Sequence, residues 1–262
     1  MFRTRLITAL VGAALMIFCL YQGGIWWSGL FLVLALVAFY EYADMLRQKN
    51  IPVLWLPGGV LLILLWASPL LAEEWIWAGL MAVSLMVVAA GIWFYPRLTV
   101  AELSLNLFGP VYLGLTLQYS LRILNLPDPF MIMLLALLLT WASDVGGYAL
   151  GLLWGKRKLA PQLSPKKTWE GALGSVLFCL AVALLYLHFT ALAPQKGAYL
   201  IILALFASLA AQMGDLFMSA IKRYFGVKDS GFIIPGHGGV LDRFDSFLLV
   251  LPLVYYGCYF LV

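Results

Sequence analysis

Apolar residues run through this chain in blocks of about 20, the length a helix needs to cross a bilayer, with short polar interruptions between them. Taken in order, the blocks give spans near 5–22, 25–45, 53–72, 75–94, 107–125, 130–153, 171–193, 198–221 and 244–262. The expected fold is all-α, a polytopic integral membrane protein of about nine transmembrane helices forming a single membrane domain over residues 1–262. Gln118 and Arg122 interrupt the fifth block, which also holds Gly and Pro residues. Residues 1–125 read as a scaffold of N-terminal spans, and 130–262 as the catalytic spans with their loops, because charge inside apolar blocks concentrates in the second part.

Composition and charge add the solvent and the orientation. At 64% hydrophobic and 11% charged residues the chain has too little polar surface to face water. Nine crossings place the termini on opposite faces, and with the N-terminus in the cytoplasm 14 of the 16 Lys and Arg lie on that side, Arg122 and Lys196 being the exceptions. The positive-inside rule then gives a cytoplasmic N-terminus and an external C-terminus, in a bacterial-type inner membrane. The opening "MFRTRLITALVGAALMIFC" lacks a small-x-small cleavage site and reads as an uncleaved span. Cys19, Cys179 and Cys258 sit in apolar runs without ligand-like spacing and read as buried small hydrophobes.

Two long polar loops survive on the cytoplasmic side, "WGKRKLAPQLSPKKTWEG" at 154–171 and "GVKDSGFIIPGHGGVLDRFDS" at 226–246. Near them, four acids lie in or at the edge of spans. Asp144, in "LLTWASDVGGYALG", is about ten residues, roughly 15 Å of helix, short of a cytoplasmic end. Asp215, in "AAQMGDLFMSAIKRYFG", shares a helix face with Gln212, Ser219 and Lys222. Asp242 and Asp245 come at i, i+3 as the last span begins, where acids also suit a helix N-terminus on plain electrostatic grounds. Intramembrane acids facing a polar cavity mark ion or substrate sites. In the later loop, Pro235-Gly236 and Gly238-Gly239 break any helix, so backbone amides can approach a ligand beside Lys228, His237 and Arg243. In the earlier one, Ser164-Pro165 predicts an N-cap and first helical residue, which puts Lys166 and Lys167 at a helix N-terminus suited to phosphate. Lys222 and Arg223 also have the ordinary reading of interfacial anchors, as does Trp169.

Asp144, Asp215, Asp242 and Asp245 supply hard oxygen ligands without thiolates or paired histidines, which points to Mg²⁺ or a similar divalent cation. Carboxylates, Mg²⁺ and Lys/Arg side chains together are what a phosphoryl-type transfer between two polyanions requires. No Walker-type loop is present.

The stretch "SAIKRYFGVKDSGFIIPGHGGVLDRFDS" at 219–246 resembles the signature of the phosphatidate cytidylyltransferases, or CDP-diacylglycerol synthases. Ser219, Lys222-Arg223, Lys228-Asp229, Pro235, His237-Gly238-Gly239, Asp242-Arg243 and Asp245 fall in register, and "SPKKTWEG" and "QMGDLFMS" are similar to two further blocks of that family. The resemblance is strong over 140–246 and rests on hydrophobicity alone in the first four spans. It implies transfer of the cytidylyl group of CTP to phosphatidic acid by direct in-line attack, giving CDP-diacylglycerol and pyrophosphate, with membrane lipids as surroundings and no nucleic acid partner. It implies Asp215 and Asp242 as the leading metal ligands, with Asp144 and Asp245 next, and leaves room for a second cation. Lys222 and Arg223 join the catalytic set. Substrate contacts would come from Ser164, Lys166, Lys167, Thr168, Trp169 and Glu170, and from Ser219, Lys228, Asp229, His237, Gly238, Gly239 and Arg243. A homodimer is left open. Two other classes stay in view: a nucleotide-dependent lipid kinase, which needs the same metal and bases, and a cation-coupled transporter, which would bury Asp144 and Asp215 but has no use for a basic glycine-rich loop.

Overall fold

The computed structural model describes residues 2–190, 194–234, 236 and 238–259. Among these it contains nine α-helices: α1 (Phe2–Gln22), α2 (Gly24–Gln48), α3 (Trp55–Ala67), α4 (Glu73–Trp93), α5 (Val100–Leu124), α6 (Pro129–Trp154), α7 (Trp169–Thr190), α8 (Pro194–Tyr224) and α9 (Leu241–Tyr259). Two short strands, β1 (Lys158–Ala160) and β2 (Ser164–Thr168), lie between α6 and α7. Six helices, α2 and α4 to α8, are long and apolar enough to cross a membrane. The chain is therefore an all-α integral membrane protein.

The expected span at 53–72 is shorter in the structure. Its helix ends at Ala67, one residue before the Ser68-Pro69 pair, and a single 3₁₀ turn over Ser68–Leu70 follows. Ser68 keeps helical angles (φ −50°, ψ −33°), but Pro69 has no N–H to donate, so the α-helical ladder stops and the turn tightens to 3₁₀; 13 helical residues reach only about 20 Å. The block expected at 107–125 instead begins at Val100. Thr99 and Glu102 form a capping box there: the Thr99 amide donates to Glu102 Oε2 at 2.6 Å, and the Glu102 amide to Thr99 Oγ1 at 3.5 Å.

The chain divides into two compact units, Met1–Leu124 with Tyr224–Arg243, and Asn125–Arg223 with Phe244–Val262. The long loop after α8 falls in the first of these units.

In the first unit α3 and α5 pack closely through small residues. A Cβ on Gly114 would meet Leu65 Cβ at 2.7 Å and the Leu62 carbonyl oxygen at 3.1 Å, so only glycine lets the helices approach this far. Most buried polar groups need partners at this depth, and several find them here. Buried Asn106 accepts from the Leu54 amide at 2.8 Å and donates to the carbonyls of Pro52 and Glu102 at 3.0 and 2.9 Å. Gln118 Oε1 accepts from Ser68 Oγ at 3.0 Å and Arg122 Nε at 3.2 Å, so the two residues that break the apolar pattern of α5 answer one another without ending the helix. The Trp27 indole, fully buried, donates to the Ser120 carbonyl at 2.9 Å.

In the second unit α6 and α7 form the tightest pair. Gly146 and Gly147 of α6 lie against Gly171, Gly174 and Ser175 of α7; a Cβ on Gly147 would meet Ser175 Oγ at 2.7 Å, and one on Gly171 the Gly147 carbonyl oxygen at 2.7 Å. Ser175 Oγ donates to the Ser143 carbonyl at 2.7 Å, one residue before Asp144. Helix packing without a hydrophobic drive depends on such small residues and interhelical hydrogen bonds. The crossing fixes where Asp144 stands relative to the start of α7. Cys19, Cys179 and Cys258 are buried, as their apolar surroundings predict.

Candidate active site

The segment leading into α7 departs from its sequence-based reading. Ser164 and Pro165 do not start the helix; with Lys166 and Lys167 they belong to β2, which pairs antiparallel with β1 in the register Lys158 with Thr168 and Ala160 with Ser164. The physical reason lies four residues on. Thr168 is the better cap, because its Oγ1 accepts the Gly171 amide at 3.1 Å while Trp169 opens α7. Glu170, in the first turn, reaches back to the Lys156 and Arg157 amides at 3.1 and 3.2 Å. The base of the hairpin is thereby tied to the helix start. Lys166 is exposed on this hairpin, and so is Trp169 at the beginning of α7. The lysines are thus presented by a strand, and the anion affinity of a helix N-terminus no longer accounts for them.

Lys167 turns toward α8, where its ammonium lies 2.6 Å from Asp215 Oδ2, with both side chains partly exposed. Ser219, one helical turn after Asp215, donates to Asp215 Oδ1 at 3.4 Å, as the predicted polar face requires. Gln212 turns aside, donating to the Ala172 carbonyl and Ser208 Oγ. On α9, Ser246 Oγ approaches Asp144 Oδ1 at 3.3 Å and Asp245 Oδ1 at 3.4 Å, and so bridges acids from two helices. Asp245 is buried, while Asp144 is exposed. Asp215, Asp144 and Lys222 all lie within electrostatic reach of Asp245. The second unit accordingly gathers Asp144, Asp215, Asp245, Lys167 and Lys222. Gly214 makes this proximity geometrically available: a Cβ there would stand 2.5 Å from the Asp245 carbonyl oxygen and 3.2 Å from Ser246 Cα.

The remaining predicted residues belong to the glycine-rich loop of the first unit. Lys228, Asp229 and Arg243 are exposed. Asp242 Oδ2 accepts from the Ser230 amide at 2.8 Å and the Gly239 amide at 3.1 Å, holding two points of the loop together. Gly238 has φ near 85°, a left-handed conformation that favours glycine. His237 and Pro235 lie outside the described residues. The sequence reading missed Glu41 of α2. It is 1% exposed, and it accepts from Ser230 Oγ at 3.1 Å and from the Val240 and Leu241 amides at 2.8 Å each. Glu41 and Asp44 in the apolar stretch "ALVAFYEYADML" were the available signal, by the same logic that singled out Asp144.

Among the described residues no three His, Cys, Asp or Glu side chains form a closed metal cage. The donors that do approach one another in the second unit, Asp215 with Ser219 and Asp144 with Ser246 and Asp245, are all oxygen. Such an open oxygen set fits Mg²⁺, which is usually held by one or two carboxylates and completed by water and ligand phosphate. That Lys167 places its ammonium against Asp215 marks the position as one that accepts positive charge.

The chain matches the cytidylyltransferase family over residues 3–261. The phosphatidate cytidylyltransferase of Bacillus subtilis is 34% identical over 264 residues, covering 97% of this chain and 96% of that protein. Proteins of the same name from Staphylococcus epidermidis and Staphylococcus aureus are 35% and 34% identical, each alignment covering 96% of this chain and 97% of the relative. The match runs through the first four spans as well as the polar loops, so with membrane helices, oxygen donors and bases arranged as described, the chain belongs to the cytidylyltransferase family.

Proposed function

We propose that this protein transfers the cytidylyl group of CTP to phosphatidic acid, forming CDP-diacylglycerol and pyrophosphate for phospholipid synthesis. The observation that carries the reading is the Lys167–Asp215 contact beside Asp144, Asp245 and Lys222, at the cytoplasmic ends predicted for membrane helices, in a chain aligned end to end with cytidylyltransferases. A lipid phosphate has to stay at headgroup level while its acyl chains remain in the bilayer, and a polar site at the end of apolar helices meets that demand. CTP arrives from the cytosol, where the basic hairpin and the glycine-rich loop are assigned by the distribution of positive charge.

In the reaction a phosphatidate oxygen attacks the α-phosphorus of CTP, and the bond from that phosphorus to the β-phosphate oxygen breaks. Pyrophosphate leaves with the bonding electrons. No covalent enzyme intermediate is needed. Bound Mg²⁺ would neutralise charge on the phosphates, held by Asp215 with Asp144 and Asp245; the motif alone makes Asp242 a further candidate ligand. Lys167 releases part of its pairing with Asp215 to meet an incoming phosphate, and Lys222 and Arg223 add positive charge. Lys166, Lys228 and Arg243, all exposed, are further bases for CTP or lipid phosphate. The N-terminus is assigned to the cytoplasm and the C-terminus to the exterior by the same positive-inside argument.

The experiment uses purified protein in detergent with phosphatidate and Mg²⁺. CTP labelled at the α-phosphate is expected to label the lipid, while the γ-label should appear only in pyrophosphate. A lipid carrying the γ-label would replace this reading with that of a kinase.

A further inference from the structure

We propose that Glu41 is a positioning residue for the cytidylyl transfer, acting through the glycine-rich loop that it pins to the start of α9. The proposal rests on the functional reading above for the role of the loop, and on the first unit alone for its geometry.

A carboxylate that is 1% exposed requires partners, because burying it unpaired is among the costliest things a fold can do. Glu41 finds three, all neutral: Ser230 Oγ and the Leu241 amide on Oε2, and the Val240 amide on Oε1. The amides of Val240 and Leu241 are at the N-terminus of α9, where backbone donors have no intrahelical acceptor and the helix dipole favours a negative charge. Glu41 therefore caps α9 from a helix about 200 residues away in sequence. With its remaining bond it holds Ser230, twelve residues before Asp242. The two ends of the loop are thus fixed to one carboxylate.

The surroundings are built around that carboxylate. A Cβ on Gly231 would stand 2.8 Å from Glu41 Oε1, and one on Gly239 would meet Ser230 Oγ and lie 2.6 Å from Glu41 Oε2. Two glycines of the motif are therefore small because Glu41 occupies the space beside them. Gly239 and Ser230 also give their amides to Asp242, so the Glu41 and Asp242 carboxylates share one loop framework from opposite chemical handles. Lys228, Asp229 and Arg243 flank the framework and remain exposed. A segment whose backbone is held at both ends while its charged side chains are exposed is suited to presenting those charges in one geometry. Outer residues that orient contacting ones typically alter activity by roughly 10- to 100-fold when changed.

The test compares wild type, Glu41→Gln and Ser230→Ala, purified from membranes and assayed for CDP-diacylglycerol per folded molecule. Gln keeps the shape but places an N–H where an amide donor already points. Glu41→Gln is expected to lose roughly 10- to 100-fold in kcat with its thermal midpoint near that of wild type. Hydrogen exchange at Val240 and Leu241 should accelerate in the same protein. Ser230→Ala, which removes one neutral donor, should lose about two- to tenfold. Wild-type kcat and KM in folded Glu41→Gln would overturn the proposal, and so would a loss that tracks only the fraction of protein folded. If Glu41→Gln does not fold, Ser230→Ala decides: reduced kcat supports the positioning role and unchanged kinetics ends it. Failure of the functional reading would look different, since wild type itself would then form no α-labelled lipid.

Discussion

Gly214→Ala tests whether the approach of α8 to α9 sets the chemistry. The added Cβ would stand 2.5 Å from the carbonyl oxygen of Asp245 and 3.2 Å from Ser246 Cα, where ordinary contact begins at 3.4 Å. Relief requires the helices to separate locally by about 0.9 Å, because a backbone carbonyl cannot rotate away as a flexible side chain would. Asp215 follows Gly214 directly, and Asp245 is the residue struck, so the displacement falls between two of the proposed metal-holding acids. A misplacement of about 1 Å can cost on the order of 100-fold in rate. Overpacking costs about 1–3 kcal/mol, while replacing a helical glycine by alanine returns up to about 1 kcal/mol of propensity, so the protein should remain folded. The expected result is a fall of about 100-fold in kcat/KM, measured as transfer of α-labelled CTP into lipid, with a thermal midpoint only a few degrees lower. Gly29→Ala, on a helix face with nothing within 4 Å of the added carbon, is the control and should match wild type. Activity of Gly214→Ala within twofold of wild type would refute the claim that the α8–α9 spacing sets the site.

Lys167→Ala is expected to lower kcat at least tenfold, because it removes the partner of Asp215, whereas Lys166→Ala, exposed on the hairpin, should chiefly raise KM for CTP; initial rates over both substrates separate the two, and identical kinetic defects would contradict the distinction. Asp215→Asn and Asp242→Asn each keep size and remove charge, and both should nearly abolish turnover at saturating Mg²⁺ while yielding extractable protein; near-normal turnover in either would remove that residue from the set required for catalysis.

The membrane class, the polar face of α8 and the acids of the last spans were legible because each rests on local periodicity or on the cost of a charge in an apolar block. The Asp215–Ser219 contact is a helical i, i+4 relation and needs no tertiary knowledge. The start of α7 was misplaced because two capping signals stand four residues apart in "SPKKT", and proline after serine is a strong local pattern. What decided between them was pairing: Lys158 and Ala160 lie opposite Thr168 and Ser164, and a strand partner four to ten positions upstream has no periodic signature in so short a hairpin. The shortened α3 was readable from Ser68-Pro69, and the early start of α5 from Thr99-x-x-Glu102. Glu41 was hidden for a different reason. Two of its three partners are backbone amides, which leave no trace in side-chain identity, and all three lie about 190 to 200 residues away.

The acids of the two units differ in the kind of partner they hold, and that difference separates positioning from chemistry. In the first unit Glu41 and Asp242 are engaged by backbone amides and the Ser230 hydroxyl, groups fixed by the fold, with Glu41 sealed from solvent. Such partners do not exchange during turnover; replacing them would require the loop to unfold. In the second unit Asp215 is held by a lysine ammonium and a hydroxyl on a partly exposed surface, and both are side chains that can move aside for a cation or a phosphate. An ion pair at that exposure contributes little to stability, on the order of 1 kcal/mol or less, so its exchange for ligand contacts carries a small penalty. A carboxylate that must accept a metal and then release product needs replaceable partners, and one that must hold a loop needs permanent ones. On this argument Asp215 belongs to the reaction and Glu41 to its geometry. Asp242, tied by Oδ2 to the Ser230 and Gly239 amides, shares that loop framework with Glu41, so a change at Glu41 is expected to reach Asp242 through the loop.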